Sequence, residues 1–528
     1  MKLNLDSIRN EKAAWEKANV KLPTFDIAAV RERTAAHPEW VHFGAGNIFR
    51  GFIGSLNQRL LEKGLVDTGI VACDTFDYEV IEKIYDAHDS LTLNVLLNPD
   101  GTTTREVLAG VAEGVKVDFS SAESAAKMRS LFTAQSLKLV SFTITEKGYR
   151  LRSPDGEYLP VVASDIKAGP SAPCHVMSIV ASLLLERFKA NAAPIAVVSM
   201  DNCAHNGDKL RESVVEIAHA WVENSFAPSE FLNYIEDEKK VSFPWTMIDK
   251  ITPRPHPQVR KSLEDDGIEG MEPIITSRKT FIAAFVNAEK PQYLVVEDSF
   301  PNGRPQLEES GVVFCDRESV DKCEKMKVTT CLNPLHTAMS MYGCLLGYTL
   351  ICEEMKDEDI VRLIRTLGYK EGLPVVVDPG IISPKAFIDE VVCERLPNPF
   401  MPDDPRRIAT DTSQKLGPRF GETIKSYIRK GLSLDSLVAI PMAIAGWLRY
   451  LQGTFDDGTP MEVSPDPLKD ELMAKVAAGE IGSILSNASI FGLDLTRTSL
   501  ASRIEGYYER LSAGAGSVRK FLKEELEG

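Results

Sequence analysis

The stretch that most narrows the fold is Trp40-Val-His-Phe-Gly-Ala-Gly-Asn-Ile-Phe-Arg-Gly-Phe52. Trp40–Phe43 reads as an apolar strand. Gly44-Ala-Gly46 follows at once, and a helical apolar period then runs through Ile53, Leu56, Leu60 and Leu61. Strand, Gly-x-Gly, helix lets backbone approach a pyrophosphate closely. The helix N-terminus then meets it with N–H groups and partial positive charge. Phe49 stands where the usual fingerprint has its third glycine. A second strand, Gly69-Ile-Val-Ala-Cys-Asp74, ends in an acid. An acid there accepts the ribose hydroxyls of NAD and repels the extra phosphate of NADP. Asp77 is a rival for that role.

Further strands follow. Thr92–Leu97 and Thr102–Ala109 read as a hairpin around Asn98-Pro-Asp-Gly101. Leu137–Ile144 and Pro194–Met200 are apolar runs, and the second delivers Asp201-Asn202 to its C-terminal end. Residues 7–18 read as a polar helix, Val176–Leu185 as a buried one and Phe243–Pro253 as part of a loop region. Alternating strands and helices imply an α/β fold with a mostly parallel, doubly wound sheet. Past about residue 316 the strand signals fade and helical periods take over, in 321–353, 356–366, 384–395, 421–429, 434–451 and 467–477. The expected organisation is a Rossmann-like dinucleotide-binding domain over 1–316 and a mainly helical substrate domain over 317–528.

Within the first helical period lies Glu324-Lys-Met-Lys-Val-Thr-Thr-Cys-Leu-Asn-Pro-Leu-His336. A lysine on an apolar segment, here Lys327, is costly unless paired or neutral. Burial lowers a lysine pKa and makes the amine a usable general base. Asn333 offers a donor and an acceptor, and His336 can hold a substrate hydroxyl. The set suits proton removal from an alcohol while a hydride leaves its carbon. Asn333-Pro334 is equally a good helix start, with no chemistry required.

A net charge of -16 argues against a nucleic-acid partner. No apolar run of about 18 residues exists to span a membrane, and Met1-Lys-Leu-Asn-Leu-Asp6 lacks the apolar core of a signal peptide. Nine scattered cysteines without a C-x-x-C pair point to reduced thiols in the cytoplasm. Eight histidines form no H-x-x-x-H pair, so no metal site is expected.

Collinear motifs then resemble the long-chain mannitol dehydrogenase family of polyol and uronate dehydrogenases. Gly44-Ala-Gly-Asn-Ile-Phe-Arg50 resembles its G-x-G-x-x-F-R cofactor loop. Thr145-Glu-Lys-Gly-Tyr149, Asp201-Asn202, Thr246–Pro253 and Gly303-Arg-Pro305 resemble its internal signatures. Arg407–Lys415 resembles its substrate-contact segment. The resemblance implies an N-terminal NAD-binding domain, a helical C-terminal domain and metal-free catalysis. It assigns cofactor contacts to Gly44, Gly46, Phe49 and Arg50, beside the Asp74 already placed at the strand end. Lys327 becomes the general acid/base, with Asn202 and Asn333 on the reacting oxygen, His336 positioning substrate and Glu324 relaying the proton. Arg407 and Lys415 become substrate-binding cations, with Arg406 a further candidate.

On that footing the expected reaction is reduction of D-fructuronate to D-mannonate, because a sugar acid needs cations for its carboxylate. Tagaturonate reduction and mannitol oxidation are the alternatives in the same class; a non-catalytic NAD-sensing protein is the alternative in another. One departure stands out. The family has four residues between its lysine and asparagine, and this chain has five. At about 100° per residue, an unbroken helix would turn His336 to the face opposite Lys327. The spacing therefore predicts a π-bulge or a break between Val328 and Pro334, with Lys327, Asn333 and His336 on one pocket.

Overall fold

Trp40–Phe43 (β1) is buried on both faces, as a strand at the centre of a parallel sheet must be. Its partners are Ile70–Asp74 (β2), Val111–Lys116 (β3), Leu139–Phe142 (β4), Ile195–Ser199 (β5) and Val241–Ser242 (β6). All pair in parallel, in the order β3-β2-β1-β4-β5-β6. That is the doubly wound dinucleotide-binding order, whose direction reverses between β1 and β4. The computed structural model describes residues 1–526. They divide into two units, Met1–Asn98 with Thr102–Asp321, and Pro99–Gly101 with the residues from Lys322 on.

Strand alternation sorts the first unit's core. Val41 and Phe43 pack on one sheet face with Met128, Leu184 and Val214. These come from Ala122–Thr133 and, further on, Val176–Ala190 and Asn206–Glu223. Trp40 packs on the other face with Phe49, Phe52, Leu56 and Leu60, the apolar stripe that follows the Gly-Ala-Gly turn. That helix is a π-helical turn, Phe49–Ile53, running into Gly54–Glu62 (α1). The expected hairpin forms between Thr92–Leu97 and Thr103–Leu108, in a separate four-stranded sheet with Phe285–Glu289 and Val20–Lys21. Two local readings change. The polar helix of residues 7–18 is two helices, Leu5–Asn10 and Lys12–Lys17, with Glu11 between them. Thr246–Asp249, read as loop between prolines, is a strand antiparallel to Tyr293–Glu297.

The last strand is Val313–Cys315, and helices follow. In the second unit Asn333–Leu345 (α2) packs on Ala439–Tyr450 (α3), and α3 packs on Leu500–Leu511 (α4). Every residue of α3 is buried. Gly446 brings α3 against the ring of Tyr342, whose hydroxyl donates to the Met442 carbonyl at 2.9 Å. Among the described residues no helix is long and apolar enough to cross a membrane. Among its described residues four π-helical turns punctuate this unit: Lys327–Cys331, Thr366–Gly372, Val391–Arg395 and Gly417–Gly421.

Candidate active site

The first unit builds a dinucleotide cradle at the point where the sheet order reverses. Gly44 has φ +103°, and a Cβ there would lie 2.2 Å from the Thr143 carbonyl oxygen. Only glycine lets β1 turn off so close to the end of β4. Gly46 differs: a Cβ there would meet nothing within 4 Å, so its backbone faces open space at the start of the helix. Exposed backbone beside a helix N-terminus fits a pyrophosphate. Asp74, at the end of β2, is half-buried. Its Oδ1 accepts the Phe76 and Asp77 amides at 2.8 Å each, and Oδ2 accepts the Ala45 amide at 3.4 Å. Burial raises its pKa and those amides pull it back. Asp77 is 4% exposed and takes the Thr276 hydroxyl at 2.5 Å, so it faces inward. The cradle suits a nicotinamide dinucleotide.

Two expected cofactor contacts change role. Arg50 is 1% exposed, and its guanidinium donates to the Ala283 and Ala284 carbonyls at 2.8 Å each and to the Thr92 hydroxyl at 3.2 Å. Phe49 is fully buried and stacks on His42 at 4.2 Å. Both hold the loop from beneath and offer no side-chain atom to a ligand.

At the C-terminal ends of β4 and β5, Asp201 ties two loops together. It accepts the amides of Ile144 at 3.0 Å and Thr145 at 2.8 Å, and the Tyr149 hydroxyl at 2.5 Å. Thr145 sits at φ 66°, ψ 159°, a region that costs about 1–3 kcal/mol for a non-glycine and persists only where its surroundings enforce it. Asn206 fastens the Asp201 carbonyl and the Thr246 backbone and hydroxyl, fixing the turn that presents exposed Asn202.

In the second unit the expected irregularity is present, in both forms. Lys327, 4% exposed, opens the π-helical turn, and the Leu332 amide reaches back five residues to its carbonyl at 3.1 Å. Leu332 then leaves helical geometry at φ -126°, ψ -64°, and α2 starts afresh at Asn333 with Pro334 in its first turn. The wide turn absorbs the extra residue and Pro334 costs no intrahelical bond. Glu324 is half-buried on the preceding helix Arg317–Met326.

His336 is set among cations. Burial first, then Arg407, Arg419, Arg395 and Lys415, push its pKa down to about 3. Its Nε2 lies 3.5 Å from Asp403 Oδ2 without hydrogen-bond geometry. Asp403 in turn pairs with exposed Arg407 at 2.6 Å, and Arg406 pairs with Asp404. Lys415 donates to the carbonyls of Ile408 and Thr410. Arg395 and Arg419 were not singled out in the sequence. Each lies in a π-helical turn and carries no motif; the one local signal is the Gly417/Gly421 bracket around Arg419.

Family models of the mannitol dehydrogenase Rossmann domain and of the mannitol dehydrogenase C-terminal domain match residues 38–309 and 319–512. This chain belongs to the mannitol dehydrogenase family. It is 48% identical to a D-mannonate oxidoreductase of Thermotoga maritima, over 99% of both chains. Among solved structures of this fold, a D-sorbitol dehydrogenase in substrate-free form matches with a TM-score of 0.81 and 25% identity, over 95% of this chain and 97% of that one. The Pseudomonas fluorescens mannitol 2-dehydrogenase, in ternary complex with NAD and D-mannitol, matches with a TM-score of 0.71 and 26% identity over the full length of both.

The helix α2 has an unusual neighbour. Glu354 is fully buried, neither carboxyl oxygen has a hydrogen bond, and it fills the space over Gly343 of α2. Burial, then the acids Asp403, Asp357 and Asp404, hold its pKa well above the carboxylate range. The folded chain therefore keeps this proton while the unfolded chain releases it, so the group costs stability increasingly as pH rises above its unfolded value. Glu354→Gln is expected to melt higher than wild type at neutral pH, with an advantage that grows toward alkaline pH and vanishes in acid. Calorimetric melting across pH checks this; a pH-independent difference would show that Glu354 is ionised in the fold.

Proposed function

We propose that this chain is an NAD-dependent oxidoreductase that interconverts D-fructuronate and D-mannonate. The observation that carries the substrate class is the gathering of three arginines and a lysine around His336 in a chain of net charge -16. Such a cluster suits a carboxylate-bearing sugar, and the likeness to a D-mannonate oxidoreductase narrows which one. Residues 1–316 hold the cofactor and 317–528 carry the acid/base and substrate groups.

NAD, when bound, takes up or supplies the hydride. The rest is done by side chains. Lys327 takes the proton of the reacting hydroxyl in oxidation and returns it in reduction. Asn202 and Asn333 donate hydrogen bonds to that oxygen as negative charge builds. His336, held toward its neutral form by burial and the cations around it, orients the hydroxyl. Glu324 passes the Lys327 proton onward, and Arg407 and Lys415 supply positive charge for the sugar acid. No metal is required, and the enzyme works in the cytoplasm on a small molecule, without nucleic-acid or membrane partners.

Loss of NADH absorbance on mixing with D-fructuronate, with D-mannonate identified as product, tests this reading. Turnover of neutral ketoses alone would overturn it. Asp74→Asn keeps an acceptor for the Phe76 and Asp77 amides but removes the charge. The kcat/KM preference for NAD over NADP should fall about tenfold, the scale of one partly screened charge contact. An unchanged preference would take the ribose role away from Asp74.

A further inference from the structure

The cations about His336 are not equivalent. Arg407 pairs with Asp403, Arg395 has partners of its own, and Lys415 donates to two backbone carbonyls while keeping its charge. Arg419 is different. Among the described residues it makes one hydrogen bond, to the Thr337 hydroxyl, and no ion pair. Its guanidinium has five N–H donors, and its setting is desolvated enough to lower its pKa to about 10. A desolvated cation without a counter-charge is costly unless a ligand supplies one.

Its placement is fixed. The π-helical turn Gly417–Gly421 packs on the turn that opens with Lys327 and on α2, which carries Asn333 and His336. Both bracketing glycines sit on the backbone of residues 490–491. A Cβ at Gly421 would lie 1.8 Å from the Phe491 carbonyl oxygen, and one at Gly417 3.0 Å from that of Ile490. The turn therefore cannot slide, and the hydroxyl of Thr337, the residue after His336, steadies the guanidinium.

We propose that Arg419 receives the substrate carboxylate and is the residue that selects sugar acids over neutral sugars. This rests on the sugar-acid reading above. The planar fork can bind both carboxylate oxygens, which a lysine cannot reproduce. Because this contact is made in ground state and transition state alike, its loss raises KM more than it lowers kcat.

The test compares wild type, Arg419→Gln and Arg419→Lys with D-fructuronate and with fructose, at saturating NADH, beside their melting curves. The ratio of kcat/KM for the acid to that for the ketose should fall on the order of 100-fold in Arg419→Gln, the scale of a desolvated charge pair losing one partner. Arg419→Lys should recover part of the ratio. An unchanged ratio, or acid and ketose falling together, overturns the proposal and leaves Arg419 a structural residue. A hexuronate-active wild type beside an unaffected variant overturns Arg419 alone. A wild type that reduces only fructose overturns the sugar-acid reading and this proposal with it.

Discussion

Replacing Lys327 with alanine should lower kcat by about 100- to 10,000-fold, the range expected for loss of a positioned general acid/base. The remaining rate should lose its dependence on the ionisation of that group. Lys327 is buried at the first position of a π-helical turn, so truncation also leaves a space in the core. Lys327→Met separates the two effects, because methionine keeps most of the stem and its packing. The methionine variant should melt close to wild type while being as inactive as the alanine variant. Near-wild-type turnover by either would remove lysine from the mechanism. A methionine variant that recovered activity would show that Lys327 serves packing alone.

The second large effect is expected at the cofactor loop. Gly44→Ala places a methyl 2.2 Å from a backbone oxygen, at a φ of +103° that L residues rarely adopt. Neither the Thr143 backbone nor β1 can yield, so the loop must move. Strain and overpacking each contribute about 1–3 kcal/mol. Affinity for NADH should fall on the order of 100-fold or more, and the melting temperature should fall with it. Gly46→Ala is the informative contrast. Its methyl meets no protein atom, so stability should hold within about 0.5 kcal/mol. It projects into the space assigned to the pyrophosphate, and NADH affinity should still drop. Fluorescence titration with NADH, beside thermal melts, reads both. Unimpaired NADH binding by Gly46→Ala would place the pyrophosphate elsewhere.

What could be read in advance was set by local chemistry. The strand, the Gly-Ala-Gly turn and the apolar stripe after it lie within one short stretch, and the cradle follows from them. The irregularity before Pro334 was legible because the family resemblance supplied a spacing to compare with: one residue too many between Lys327 and Asn333 must be absorbed. Arg50 was not legible. It stands in the cofactor motif, yet its partners Ala283 and Ala284 lie 233 and 234 residues away in sequence. Its burial is decided by a second sheet that the motif does not mention. Arg419 and Glu354 escaped for the same reason. A charged residue in the gap between two helical periods reads as a solvated turn, and only tertiary packing reveals a desolvated one. Thr246–Asp249 escaped because flanking prolines mask a strand that needs Tyr293–Glu297 for its pairing.

The central claim is direct hydride transfer between a nicotinamide cofactor and a sugar acid held by this chain. The most direct measurement is one turnover with D-fructuronate and NADH carrying deuterium at the transferable position, followed by mass spectrometry of the product. D-mannonate should bear one deuterium on the newly reduced carbon, formed by wild type about 100-fold or more faster than by Lys327→Ala. Recovery of unlabelled D-mannonate, or labelled NADH left intact beside unchanged D-fructuronate, would contradict it.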